Sequence, residues 1–163
     1  MPVGLLKDLI ETRPQNVRLL GVDLGTKTIG LAVSDAGQGV ATPLKTIARS
    51  KFAKDIEAFG QVVQEYEIGG YVFGWPLNMD GSEGGSCDRV RSFIDEMKNY
   101  PHVLGIEPGT DLWISLWDER LSTATVDNFL VETVDMSRKR RKEVVDKLAA
   151  QVILSGALEF LKI

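Results

Sequence analysis

Cysteine and histidine are nearly missing from this sequence, which holds one of each, Cys87 and His102. A lone cysteine excludes an intrachain disulfide and a cysteine-rich zinc site. A lone histidine excludes histidine-rich metal centres, and a Ser-His-Asp relay would have to use His102, which follows Tyr100-Pro101 in an expected surface loop. Long apolar runs are lacking too: nothing approaches the ~18 apolar residues of a membrane-spanning helix. The first residues, MPVGLLKDLIETRPQNVRLL, have no basic segment followed by a long apolar core, so the expected location is cytoplasmic, away from any membrane. Positive charge is not in excess, with 19 Lys and Arg against 23 Asp and Glu and a formal net charge of −4. Any nucleic-acid binding must then rest on a local basic patch, not on bulk charge. Oxygen donors are abundant, so any catalysis falls to carboxylates.

The 163 residues, 44% of them hydrophobic and 26% charged, suit one soluble domain able to bury its own core. Residues 1–16 read as a short helix or arm, with Leu5, Leu6, Leu9 and Ile10 on one face and Pro14 ending the pattern. The remainder, 17–163, reads as a single domain. Val17–Val22 and Ile29–Val33 are apolar strands joined by a glycine-containing turn of hairpin length. Val40–Ile47 reads as a third strand, with Pro43 favouring an edge or a bulge. Lys51–Tyr66 has helical spacing at Phe52, Ile56, Phe59 and Val63. Tyr71–Phe73 is a short strand, followed by the loop GWPLNMDGSEGGS over 74–86. Asp88–Met97 follows as a helix that Ser86 is placed to cap. Leu112–Trp117 is a fifth strand, Ser122 opens a helix to about Val131, and the last helix runs from about Glu143 to Leu161. The order β-β-β-α-β-α-β-α-α predicts an α/β fold. Its mixed five-stranded sheet has three antiparallel strands and then two parallel ones, flanked by helices.

Three acids stand where acids are costly. Asp23 ends the first long apolar strand in GVDLGTKTIG, where a carboxylate needs exposure, a partner or a cation. Asp118-Glu119-Arg120 ends the fifth strand, and alternation gives Asp118 and Glu119 opposite faces, so at most one points into a given site. Asp146 lies near the start of an otherwise apolar helix, on a line continuing through Ala149, Ala150 and Ile153. Each alone has an ordinary reading: a turn Asp beside Gly, a helix cap, a first-turn acid on the helix dipole. Together they can converge at one sheet edge, where like charges repel unless one is protonated or a divalent cation joins them. Oxygen ligands suit Mg²⁺, and a metal pair would activate water and stabilise a leaving oxygen in phosphodiester cleavage. The loop GWPLNMDG follows a buried strand, a usual place for ligands in α/β sheets, and Asn78 is its candidate contact.

GVDLGTKTIGLAVSD, GWPLNMDGSEG, DERLST and VDKLAAQVIL, in this order and spacing, resemble the signature segments of the YqgF/RuvX family. Its members are described as Holliday junction resolvases and as pre-16S rRNA nucleases. The resemblance spans about 17–162 and implies an RNase H-like fold similar to RuvC. It implies catalytic and metal-binding roles for Asp23, Glu119 and Asp146, with Asp118 secondary and Mg²⁺ or Mn²⁺ as cofactor. It also implies cleavage of a nucleic-acid backbone, with 5′-end processing of pre-16S rRNA favoured and four-way DNA the alternative. Lys27 and Arg120, beside the acids, are candidate phosphate contacts. The basic run Arg138-Lys139-Arg140-Arg141-Lys142 could grip a backbone electrostatically. Expected partners are pre-rRNA, or branched DNA, and the ribosome or its processing factors; monomer and homodimer both stay open. Two rivals remain. DLGTKTIG also resembles a phosphate loop of actin-like kinases, which need two such lobes where this chain has room for one. The other is a non-catalytic nucleic-acid-binding module.

Overall fold

The structure, a computed structural model, describes residues 3–121 and 138–162, and for 138–146 the backbone alone. Six strands form one sheet: β1 (Val3–Leu5), β2 (Arg18–Leu24), β3 (Thr28–Ser34), β4 (Ala41–Ala48), β5 (Ile68–Trp75) and β6 (Ile114–Asp118). Their order is β1-β6-β5-β2-β3-β4. β2, β3 and β4 pair antiparallel, and β5, β6 and β1 add in parallel on the other side of β2. The helices are α1 (Phe52–Glu65), α2 (Gly85–Met97), the single turn α3 (Pro101–Leu104) and α4 (Arg138–Leu161).

Strand alternation divides the core in two. Leu20, Val22, Tyr71, Phe73 and Ile114 face α1 and α2 and pack with Ile56, Phe59, Val90 and Phe93. Phe59, Tyr71, Phe73 and Phe93 form a ring cluster with centroids 5.5–6.5 Å apart. Each such ring contributes about 1.5–3 kcal/mol through burial. Leu19, Val72, Trp113 and Trp117 face the other way, against Ala150, Ile153, Leu154 and Ala157 of α4. Glycine lets that helix come close: a Cβ at Gly21 would lie 2.7 Å from Leu154 Cβ and 3.0 Å from the Ala150 carbonyl oxygen.

The mixed sheet with three antiparallel strands and two parallel additions is as the sequence predicts, and β1 adds a sixth strand. Where periodicity predicts a short helix or arm over 1–16, Val3–Leu5 instead pairs in parallel with Ile114–Leu116. Two 3-10 turns follow at Leu6–Asp8 and Ile10–Thr12. Leu6 is buried in the α4-side core, and Trp113 Nε1 donates to the Leu9 carbonyl at 3.1 Å and to Thr12 Oγ1 at 3.2 Å. Pro43 sits on an edge strand opposite an irregularity between Leu31 and Ala32. Ser86 is not the cap of α2: the helix begins after Gly84, and Ser86 Oγ accepts from Arg89 Nη2. The last helix begins at Arg138, ahead of the predicted Glu143, so the basic run lies within it. The expected Ser122–Val131 helix lies outside the described residues.

Candidate carboxylate site

Asp23, Gly74 and Trp117 lie level across three adjacent parallel strands. Val22 pairs with Phe73 and Gly74 with Trp117, so β5 separates the strand of Asp23 from that of Glu119. Asp23 shares the parity of Leu19 on β2 and therefore belongs to the face covered by α4, at the carboxyl ends of the parallel strands. Glu119 opens a 3-10 turn directly after β6 and reaches back over β5 to hydrogen-bond Asp23. The crossing is possible because residue 74 has no side chain. A Cβ there would overlap the Glu119 carboxylate and come within 2.7 Å of Ile153 Cδ1.

Burial, the negative charge of Asp23 and the hydrogen bond to it push the Glu119 pKa from 4.5 to about 8, with Asp118 adding a smaller repulsion. At neutral pH, without a cation, the pair therefore holds one proton that Glu119 donates to Asp23. Desolvated oxygen donors with excess negative charge favour a hard divalent cation, and the residues present fit one. Among the described residues no group of three or more His, Cys, Asp or Glu comes together. Asp146 has its backbone in α4, and its side chain lies outside the described residues.

The turn carrying Asp23 is braced from the α1 side. Gly25 N donates to the Thr28 carbonyl at 2.9 Å, and Arg49 N to that of Lys27 at 2.8 Å. Arg49 Nη1 donates to the Gly25 carbonyl at 2.8 Å. Arg49 Nε lies 3.7 Å from the buried Asp55 carboxylate, which itself accepts from Ser50 N.

The other acid of the DER segment does different work. Asp118 faces the opposite side of the sheet and accepts from Arg120 Nε and Nη2 at 2.6–3.0 Å. That guanidinium hydrogen bond holds the Asp118 carboxyl below its ordinary pKa. Arg120, named above as a phosphate contact, thus commits its charge to Asp118, with Nη1 also reaching the Met79 carbonyl at 3.4 Å. Asn78 closes its own loop, donating from Nδ2 to Ser82 Oγ and from its backbone N to the Ser82 carbonyl. Lys27 is exposed on the turn after Asp23. The side chains of Arg138, Arg140 and Arg141 lie outside the described residues.

A family model described as "RuvX: Holliday junction resolvase" matches residues 17–160. The chain belongs to the RuvX family. A Rhodospirillum centenum protein named "Putative pre-16S rRNA nuclease" is 46% identical over 99% of this chain and 84% of its own length. A Caulobacter vibrioides protein of the same name is 45% identical over 99% of both chains. The solved T. thermophilus RuvC in complex with Holliday junction substrate superimposes with a TM-score of 0.52 at 11% identity, covering 88% of this chain and 94% of its own. The yeast mitochondrial Holliday junction resolvase Ydc2 gives 0.50 at 10% identity, over 96% and 84%. At such identities these likenesses show the fold, RuvC-like and RNase H-like.

Gly74, Arg49 and Asp55 carry the site's geometry without standing out in the sequence. Gly74 is the first residue of GWPLNMDG, and only the strand register shows that it underlies the path between two acids. Arg49 and Asp55 acquire meaning through contacts across the end of β4.

Proposed function

We propose that this chain is a metal-dependent nuclease that cleaves phosphodiester bonds of nucleic acid, with the 5′ end of pre-16S rRNA as its favoured substrate. The observation that carries this reading is the hydrogen-bonded Asp23–Glu119 pair, with Glu119 raised to about pH 8, in a RuvX chain. The names of its relatives support the choice of RNA. Asp23, Glu119 and Asp146 would hold Mg²⁺ or Mn²⁺. Asp146 precedes Ala150 by one helical turn and Ile153 by two, the residues of α4 that lie against Gly21 and Gly74, which supports its inclusion. A cation bound by this set supplies a water of lowered pKa and polarises the phosphodiester.

The chain's own residues divide the remaining work. Asp23 and Glu119 would hold the cation as carboxylates, so their shared proton would have to leave for it to be held. Gly74 and Ile153 fix the Glu119 carboxylate over β5. Arg49 fixes the turn that aims Asp23 and leaves Lys27 exposed for an adjacent phosphate. Partners beyond the nucleic acid belong to the same proposal: the ribosome or its processing factors would deliver the precursor, the protein acting as monomer or homodimer.

The test is cleavage of a 5′-extended ribosomal RNA precursor against a synthetic four-way DNA junction, with Mg²⁺, Mn²⁺ or chelator. Metal-dependent RNA cutting, abolished by Asp23→Asn, is the expected result. Cutting of the junction alone would move the protein to DNA recombination, the reading favoured by the family model's description. Cutting of neither by folded protein would overturn the nuclease reading.

A further inference from the structure

Beyond the acids, the same end of the sheet carries a set of cations, of which the catalytic reading uses only Lys27 and Arg49. Ala48, the last residue of β4, pairs with Thr28 at the start of β3. The chain leaving β4 therefore emerges beside the turn that holds Asp23. It carries Arg49, Lys51 and Lys54, with Lys54 N bonded to the Lys51 carbonyl in the first turn of α1. Lys27, Lys51 and Lys54 are exposed and none makes an ion pair among the described residues. Arg49 is held by Gly25 and Asp55 through Nη1 and Nε, and its Nη2 makes no hydrogen bond among the described residues. The nearest acid of the segment, Asp55, is buried and turned to Arg49 and Ser50. In a chain of net charge −4, the three lysines unpaired among the described residues, running from the β2–β3 turn to the start of α1 with the Asp55-held Arg49 between them, form a local positive strip. It begins at the proposed cutting site.

We infer that Lys27, Arg49, Lys51 and Lys54 form the track along which the phosphodiester backbone of the RNA substrate runs from the Asp23–Glu119 pair toward α1. This rests on the nuclease reading and gives it a direction: one arm of the substrate crosses the β4–α1 corner. The occupant follows from charge complementarity and continuity with the carboxylate site. A backbone track needs point charges tolerant of sequence, which exposed lysines supply. One preorganised guanidinium near the cut sets the register, since phosphate contacts position a strand without reading it.

The test is binding of a short single-stranded RNA in chelator, across a salt series, by the parent and by Lys51→Ala/Lys54→Ala. Lys51 precedes α1 without a side-chain capping bond, so the double variant keeps its fold. Losing two phosphate contacts lowers the slope of log affinity against log salt by about 1.4, or about 25-fold weaker binding at ~0.1 M salt relative to ~1 M. With metal present, KM should rise at unchanged kcat. Lys98→Ala/Lys162→Ala removes the same charge from residues paired with Asp95 and Glu159 and should leave slope and KM unchanged. An equal loss in that control would overturn the track by assigning the effect to net charge. Unchanged slope and KM in Lys51→Ala/Lys54→Ala, with a parent that binds and cuts, would overturn the track alone. A parent that neither binds nor cuts would remove the nuclease reading, and the track with it.

Discussion

Glu119 hydrogen-bonds Asp23 from two strands away, and the intervening strand carries glycine at the crossing point. The relationship ties three of the family's segments together. GVDLGTKTIG supplies the acid at the end of the central strand, DERLST supplies the acid that reaches back, and the first residue of GWPLNMDG clears the way. α4 closes the arrangement from above through Ile153, whose Cδ1 shares the space over Gly74.

Gly74→Ala should therefore separate activity from stability. The added methyl meets the Glu119 carboxylate and Ile153, so the carboxylate must swing away and the helix must yield slightly. Overpacking of this kind costs about 1–3 kcal/mol, which leaves the protein folded. On the role proposed for Glu119, cleavage should fall by about two orders of magnitude, as with a misplaced catalytic group. Thermal melting and single-turnover cleavage on one preparation check this. A variant that loses stability and keeps full activity would contradict the assigned role of Glu119.

Stability without metal should fall as pH rises through neutrality. The Glu119 pKa stands at about 8 against an ordinary 4.5, so the folded state keeps a proton that the unfolded chain releases. Below about pH 4.5 both states are protonated and this contribution is whole. Between 4.5 and 8 the unfolded state binds fewer protons, and stability declines by at most about 1.4 kcal/mol per pH unit. Above 8 the decline levels off. Glu119→Gln should flatten this segment of the profile, and Mg²⁺ should do the same in the parent by taking the proton's place. Denaturant titrations from pH 5 to pH 9 in chelator, repeated with Mg²⁺, read the effect directly. A profile unaffected by Glu119→Gln would show that the pair does not hold the proton.

Part of this candidate site is legible in the sequence: alternation predicts opposite sides for Asp118 and Glu119, and an acid ending an apolar strand draws the eye to Asp23. What parity cannot supply is the partner across the sheet, which needs the register of three strands at once. Gly74 and the Arg49–Asp55 brace are invisible for that reason. The N-terminal strand is hidden differently: Val3-Gly4-Leu5 is too short for any period to show, and the leucines after it fit a helical face equally well. The Arg120–Asp118 pair is hidden too, because proximity in sequence to an acid does not say which acid a guanidinium will hold.

Asp118 should prove dispensable for chemistry. It faces away from Asp23, and its carboxylate is spent on Arg120, so Asp118→Asn should leave metal-dependent cleavage within about tenfold of the parent. Glu119→Gln should lose at least a hundredfold, the scale expected when an electrostatic group of the reaction is removed. Arg120→Ala should behave like Asp118→Asn, raising KM only slightly, because its charge is already neutralised. Steady-state kinetics of the three variants side by side decide the matter. A collapse of activity in Asp118→Asn equal to that in Glu119→Gln would mean that both acids serve the site.

The N-terminal segment should contribute to stability through Leu6 more than through its strand. β1 offers three residues of pairing at the sheet edge, a small gain against the entropy of ordering them. Leu6, 2% exposed, packs in the α4-side core, and the turns after it satisfy the Trp113 indole N–H. Leu6→Ala should cost about 2–4 kcal/mol. Because that core also seats α4, the loss should reach the carboxylate site when the helix loosens, lowering metal affinity as well as melting temperature. Gly4→Lys, on the edge strand with open space beside its Cα, should change neither. If Leu6→Ala melts like the parent, the segment is a passive arm and the sheet is held without it.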